Sequence, residues 1–365
     1  MSAIAYYITA HGYGHGARSC DVLRALMEAD PARPLVIVSD LPPAFFRDRL
    51  PAGAWRHRPG SFDVGMVQHD SIRVDVEATR AACVALLERA EELERQEAAF
   101  LRSEQVTAVV CDIPAIPLRA ARMADIPALA IGNFGWDWIY EEFIPRDARW
   151  RAVSEHFRAG YAGCDELLRF PFAEPMAAFP RRRELGLPAR PARPRREELA
   201  ALTGADPGKA WILLSFTSLD WNAEALARVT ALRDWEFFAL QPLAWTGPNI
   251  HPVDRRVIPF SSVLASADAV LTKPGFGVLA DCAVNRKPLI YAERTDFREY
   301  PVLEAAVKRC FQHVHIPAEQ LYRGELRAAL EAIRIAPLPH ETVAAGGDAE
   351  AARIILSYAS RAVAR

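Results

Sequence analysis

The chain has 365 residues, is 51% hydrophobic and 25% charged, and carries a formal charge of −2. Such a chain has enough length and apolar content for two or three domains with their own cores. Its near-neutral balance removes any global electrostatic reason to expect a nucleic acid or an anionic membrane as partner.

The amino terminus runs directly into "AIAYYIT" without a basic leader, and no apolar stretch approaches the roughly 20 residues that span a bilayer. The six cysteines are scattered, with no CxxC pair or zinc-type spacing, so reduced thiols, no metal and a cytoplasmic location are expected.

In chain order, the first half alternates short apolar runs with helical patterns. "IAYYIT" (4–9) is followed by a helix from Ala17, and "PLVIVS" (34–39) by a long charged helix over about 75–104. "TAVVC" (107–111), a helix near 116–124 and "PALAIG" (127–132) complete it. Apolar strands without polar alternation imply a parallel sheet covered on both faces. Between 176 and 208 the pattern breaks into a Pro- and Arg-rich stretch, read as a linker rather than a sheet element. Prolines and the acids Glu184, Glu197 and Glu198 make its arginines a solvated connector, not a nucleic-acid patch.

The βα pattern restarts with "AWILLSF" (210–216), a helix from about Asn222, "EFFAL" (236–240), "RRVIPF" (255–260), "DAVLTK" (268–273), a helix from Gly277 and "KPLIYA" (287–292). An amphipathic segment over 348–363 reads as a closing helix. The expected organisation is one α/β domain over 1–175, the linker, a second α/β domain over 209–345 and a terminal helix within 346–365.

Ligands of open parallel sheets bind beyond the carboxyl ends of the strands, where glycine turns let helix amides approach. "AHGYGHGARS" (10–19) occupies such a place. Gly12, Gly14 and Ala17 satisfy a dinucleotide spacing, with Asp40 ending the next strand, so a nicotinamide site is one reading. His15, beside Arg18, favours another: an imidazole suits a general base for an incoming hydroxyl. A structural turn histidine is the plain alternative, and the one preferred for His11.

A second loop, "LTKPGFGVLADC" (271–282), directs the amides of Gly275, Phe276 and Gly277 at a phosphate from a helix start. Asp281 reads as a ribose-binding acid or a helix-dipole partner. Asp296 and Glu299, before a helix beginning near Tyr300, read as sugar-hydroxyl acceptors or first-turn acids. Lys273 would neutralise a leaving diphosphate or simply sit in solvent. Ser215 and Thr217, in "SFTSLDWN", offer hydroxyls to phosphate. Asn133, Trp136 and Asp137 follow a strand; Trp136 would stack on a sugar ring with Asp137 holding its hydroxyls, or would pack a helix on the sheet. Asp112, just past another strand, is a further acceptor-site candidate. "HVH" (313–315) lacks a third metal ligand.

These two loops and their spacing resemble the GT-B glycosyltransferase superfold, including the bacterial enzyme that adds N-acetylglucosamine to the peptidoglycan lipid precursor. The stretches "YYITAHGYGHGARSCDVLRAL" (6–26), "VVCDIPAIPLRAARMADIPALAIGNFGWDWIYEEF" (109–143), "CDELLRFPFAEPMAAF" (164–179) and "SADAVLTKPGFGVLADCAVNRKPLIYAERTDFREYPVL" (266–303) are more similar to the N-terminal glycosyltransferase-like region of plant L-arabinokinases. The resemblance implies two Rossmann-like doubly wound parallel-sheet domains facing a cleft. It further implies a uridine-linked sugar donor held by the C-terminal half, no bound metal, and an acceptor (sugar, lipid or small molecule) on the N-terminal half. The 275–277 turn would bind diphosphate, Asp281 would occupy the ribose position, Phe260 would lie near the base, and His15, with Gly14 and Arg18 beside it, near the reacting centre. In many relatives the ribose acid is Glu. No P-loop of the G-x-x-x-x-G-K-[ST] type is present, so sugar kinase activity is not expected. The reading is a glycosyltransferase; a nucleotide-sugar-binding module without catalysis, an epimerase on the same fold and a nicotinamide dehydrogenase are its rivals.

Overall fold

A computed structural model describes residues 2–69, 74–295 and 297–363. The chain divides into two compact units, one from residues 1–67, 75–189 and 344–365 and the other from 68–74 and 190–343. The first unit runs β1 (Ala3–Ile8), α1 (Tyr13–Ala29), β2 (Leu35–Val38), α2 (Pro43–Arg47), β3 (Trp55–Arg58), α3 (Val76–Ser103), β4 (Val106–Asp112), α4 (Ile116–Met123), β5 (Ala128–Gly132), α5 (Trp136–Glu141), α6 (Trp150–Tyr161), β6 (Glu166–Arg169) and β7 (Arg182–Glu184). The second runs α7 (Arg196–Thr203), β8 (Ala210–Ser215), α8 (Ala223–Thr230), β9 (Trp235–Leu240), β10 (Ile250–Val253), α9 (Phe260–Ser266), β11 (Ala269–Thr272), α10 (Phe276–Val284), β12 (Leu289–Tyr291), α11 (Glu299–Cys310), β13 (His313–His315), α12 (Ala318–Tyr322) and α13 (Arg327–Ile333). The last helix, α14 (Gly347–Val363), belongs to the first unit.

Each unit holds one sheet, ordered β3-β2-β1-β4-β5-β6-β7 in the first and β10-β9-β8-β11-β12-β13 in the second. The strands pair in parallel throughout. All six residues of β1 and all four of β2 are buried, as strands covered on both faces must be. In each sheet the chain starts centrally, works to one side and returns to fill the other. The strand order therefore reverses between β1 and β4, and again between β8 and β11, leaving a crevice at each carboxyl edge.

Register places the chemistry. Ile8 pairs with Asp112, and the Thr9 amide bonds to the Asp112 carbonyl at 2.8 Å, so the turn after β1 begins beside that acid. Helix α1 starts at Tyr13, four residues before the expected Ala17. Gly12, at φ 79°, caps it in a conformation that favours glycine. Gly16 serves packing: a Cβ there would come within 2.4 Å of Leu41 and 2.6 Å of Phe45.

Two expectations need correction. The 176–208 segment is not a plain linker: β7 pairs with β6 through Arg182–Glu184, an exposed edge strand whose charged side chains hide it from a search for apolar runs. The same segment carries α7. The 255–260 stretch forms no strand; Asp254 accepts the Arg256 amide in a turn there, and Ile250–Val253 pairs with β9 instead. Pro252 fits because β10 is an edge.

Helix α14 packs on α1 and β4 through buried Ala351, Ala352, Ile355 and Ala359. No helix among the described residues is long and apolar enough to cross a membrane. Ile355→Ala should destabilise the first unit by about 2–5 kcal/mol, read as a lower midpoint in urea unfolding.

Candidate active site

In the first unit, α1 carries His15, Arg18 and Ser19 at i, i+3 and i+4, hence on one face, and all three meet Asp112 at the end of β4. His15 Nδ1 lies 2.8 Å from Asp112 Oδ1. Arg18 Nε donates to Oδ2 at 2.7 Å and its Nη2 to Oδ1. Ser19 Oγ donates to Oδ2 at 2.8 Å, and Arg18 Nη1 donates to Asn133 Oδ1 at 2.5 Å. Asp112 and Asn133 are fully buried, and Arg18 is 4% exposed. Burial works to raise the Asp112 carboxyl, but Arg18 and His15 outweigh it and hold the group well below the usual carboxylate range.

Arg18 Nη2 also approaches His15 Nδ1 to 2.8 Å. Nη2 carries two hydrogens, so Nδ1 faces both a donor and an acceptor: as a lone pair it takes the second guanidinium hydrogen, and as Nδ1–H it donates to the carboxylate. The Nδ1–H tautomer is the one that leaves Nε2 as the basic nitrogen.

An aromatic and acidic surround steadies the imidazole. Its ring lies edge-on to Phe134 at 5.5 Å and tilted to Trp136 at 6.3 Å. Trp136 is fully buried and donates its indole N–H to Asp63 Oδ2 at 2.8 Å, while Thr9 donates to Oδ1 at 2.8 Å. Burial, opposed by those two bonds, pushes the Asp63 carboxyl up to about 7. His11 Nδ1 accepts the Met66 amide at 3.0 Å, and its ring fills the space where a Cβ on Gly65 would stand.

This geometry sorts the expected acceptor-side residues. His15, Arg18, Asp112 and Asn133 come together. Of these acceptor-side candidates, Arg18, Asp112 and Asn133 are engaged with one another, and Arg18 and Asp112 both contact His15. Trp136 packs rather than presenting a face for stacking, because it is enclosed and bonded to Asp63. Asp137 is buried, 3.7 Å from Arg158, and accepts the Trp138 amide; burial raises its carboxyl. It serves as a first-turn acid of α5. Around Gly14 an added Cβ would meet nothing within 4 Å, so the α1 amino terminus has room beside it. Sequence reading missed Ser19, Thr9 and Asp63. Ser19 was findable from its i+4 spacing once the helix began at Tyr13; nothing in the sequence links Thr9 to Asp63.

In the second unit, the expected donor residues among the described ones sit at a strand's carboxyl end, on a connection leaving it or on the helix it enters. Ser215 ends β8, and Thr272 Oγ1 donates to its carbonyl at 3.1 Å, tying β11 to β8 at the strand-order reversal. Thr217 is exposed in an irregular stretch before α8. Gly275 is the N-cap of α10, with Phe276 and Gly277 as its first residues, no side chain capping it and no acid in its first turn. Those amides carry the positive end of the helix dipole. Lys273 Nζ stands 3.8 Å from the position of a Gly275 Cβ. Burial, with the Arg294 charge and against Glu299, pushes its ammonium down to about 7. Phe260 begins α9, Glu299 begins α11 and is buried, and Asp281 lies within α10, partly exposed. Asp296 lies outside the described residues. No group of three potential metal ligands occurs among the described residues; His315 pairs with Glu293 at 2.8 Å.

No family model matches the chain. It is 28% identical over 332 residues to L-arabinokinase of Arabidopsis thaliana, covering 90% of this chain. The chain spans about a third of that relative's length, 32%. Among solved structures it is similar to the glycotransferase of kitacinnamycin, at 16% identity and TM-score 0.60 over 99% of this chain and 95% of the other. A UDP-glucosyltransferase from Polygonum tinctorium capable of glucosylating indoxyl gives 14% and 0.61, over 100% and 94%. Phytolacca americana UGT2, complexed with UDP-2-fluoro-glucose and pterostilbene, gives 13% and 0.59, over 99% and 94%. The chain has the GT-B glycosyltransferase fold. Within it, the paired histidine and aspartate lie at the strand-order reversal of one Rossmann-like unit, and the uncapped helix with its lysine at that of the other.

The two buried acids should act on stability in opposite pH windows. Asp112, held low, contributes stability that is present above about pH 4 and lost as pH falls below it. Asp63, held high, resists ionising when folded, so stability falls as pH rises from about 4 to about 7. Urea unfolding across pH 3–8 should show Asp63→Asn removing the second slope, on the order of a few kcal/mol.

Proposed function

We propose that the chain transfers a sugar from a uridine-diphosphate sugar to an acceptor hydroxyl, the second unit holding the donor and His15 of the first acting as base. The observation that carries this reading is the buried His15–Asp112 pair at the strand-order reversal of the first sheet. Asp112 fixes the Nδ1–H tautomer, so Nε2 accepts the acceptor's proton as its oxygen bonds to the anomeric carbon. The bond from that carbon to the diphosphate breaks, and the α10 amides and Lys273 take up the charge that develops there. Support for a uridine donor comes from structural neighbours bound to or named for UDP-sugars. The six free thiols support a reducing, cytoplasmic setting.

A reading as a binding module without transfer is favoured by the glycine-free 215–222 stretch, and turnover separates the two. UDP and a panel of nucleotide-diphosphate sugars should raise the melting temperature, a hundredfold excess over Kd adding about 2.7 kcal/mol. His15→Gln should leave that shift in place and lower transfer by roughly 10²–10⁴. Failure of every nucleotide sugar to stabilise the folded chain overturns the proposal.

Because the Lys273 ammonium loses its proton near pH 7, UDP affinity should fall as pH rises through that value. Lys273→Met should weaken UDP binding by about tenfold or more at pH 6 and abolish the fall in affinity with rising pH, as calorimetric titrations would show.

A further inference from the structure

With His15 as the Nδ1–H tautomer, four donors converge on the Asp112 carboxylate: His15 Nδ1, Arg18 Nε and Nη2, and Ser19 Oγ. They occupy its acceptor positions, about four in number. A histidine facing an unopposed carboxylate is drawn toward its protonated form. Here a guanidinium of equal and opposite charge stands at the same distance, 2.8 Å from Nδ1, and is as buried as the acid. Arg18 is itself anchored at Asn133 and lies 5.9 Å from the Phe170 ring centre, so it cannot swing away without leaving Asn133 and Asp112 behind.

Of the other groups around the imidazole, the aromatic rings are uncharged, and Asp63 is an acid whose carboxyl burial raises to about 7. Phe134 and Trp136, from the segment entering α5, are uncharged. His11, before α1, is 6.5 Å away centre to centre, and its Nδ1 is occupied by the Met66 amide. Asp63, from the segment after β3, is engaged by Thr9 and Trp136.

We propose that Arg18 is a positioning residue that holds Asp112 in place and cancels its charge at His15, so that the acid sets the imidazole's tautomer without strengthening it as a base. The inference rests on His15 being the base, yet its test needs no turnover. His15 is titrated by proton–nitrogen NMR in the full chain without ligand, its signals identified by their loss in His15→Gln.

Arg18→Gln leaves the carboxylate unopposed and should raise the His15 midpoint by about one pH unit or more, a tenfold gain in proton affinity. Arg18→Lys keeps the charge and should stay within roughly half a unit of the wild type. The double variant Asp112→Asn, Arg18→Gln removes both charges and should also return near the wild-type midpoint; it carries the test if Arg18→Gln does not fold. Equal midpoints for the Gln and Lys variants, or a double variant displaced by more than about a unit, would overturn the proposal. A chain without transferase activity but with the expected titrations would refute the functional reading and leave this one standing.

Discussion

A carboxylate with no exposure to water organises the first unit. Asp112 ends β4 at the edge where strand order reverses, and a bare charge there would be costly to bury. The cost is met from one helix: Arg18 and Ser19, one turn beyond His15, reach both oxygens. Because these donors share a face, satisfying the acid fixes the rotation of α1 about its axis. With that rotation fixed, the imidazole has one place to be. The buried ion pair thus specifies geometry, whatever its net contribution to stability.

The second unit solves a different electrostatic problem at the equivalent edge. Among the described residues no buried acid draws the chain together between β8 and β11; a threonine hydroxyl bonded to the neighbouring strand's carbonyl does so. Positive potential comes from the uncapped start of α10 and from a lysine partly withdrawn from water. One edge therefore carries a buried histidine–aspartate pair and the other a helix amino terminus beside a lysine, on separate sheets of the same strand order.

Much of this architecture is visible in the residues themselves. Strands such as "IAYYIT" and "AWILLSF" declare a doubly covered parallel sheet through unbroken apolarity, and the glycine turns mark the strand ends after β1 and β11. The start of α1 is hidden because three glycines in five residues resemble a loop. Only the packed structure reveals that Gly12 supplies a backbone angle, while Gly16 makes room for Leu41 and Phe45. β7 is hidden because an exposed edge strand need not be apolar. The His15–Asp112 pair spans 97 positions, and Asp63 joins Trp136 across 73; no periodicity encodes such distances. Both aspartates stand at or near strand ends, yet which of several acids becomes buried depends on register, and register is a property of the assembled sheet.

The return of α14 to the first unit has a temporal consequence. Its apolar side covers α1 and β4, elements translated long before it, so during synthesis those surfaces wait uncovered while the entire second unit emerges. The half that begins first is completed last. Contacts this remote in sequence slow folding and lengthen exposure to aggregation.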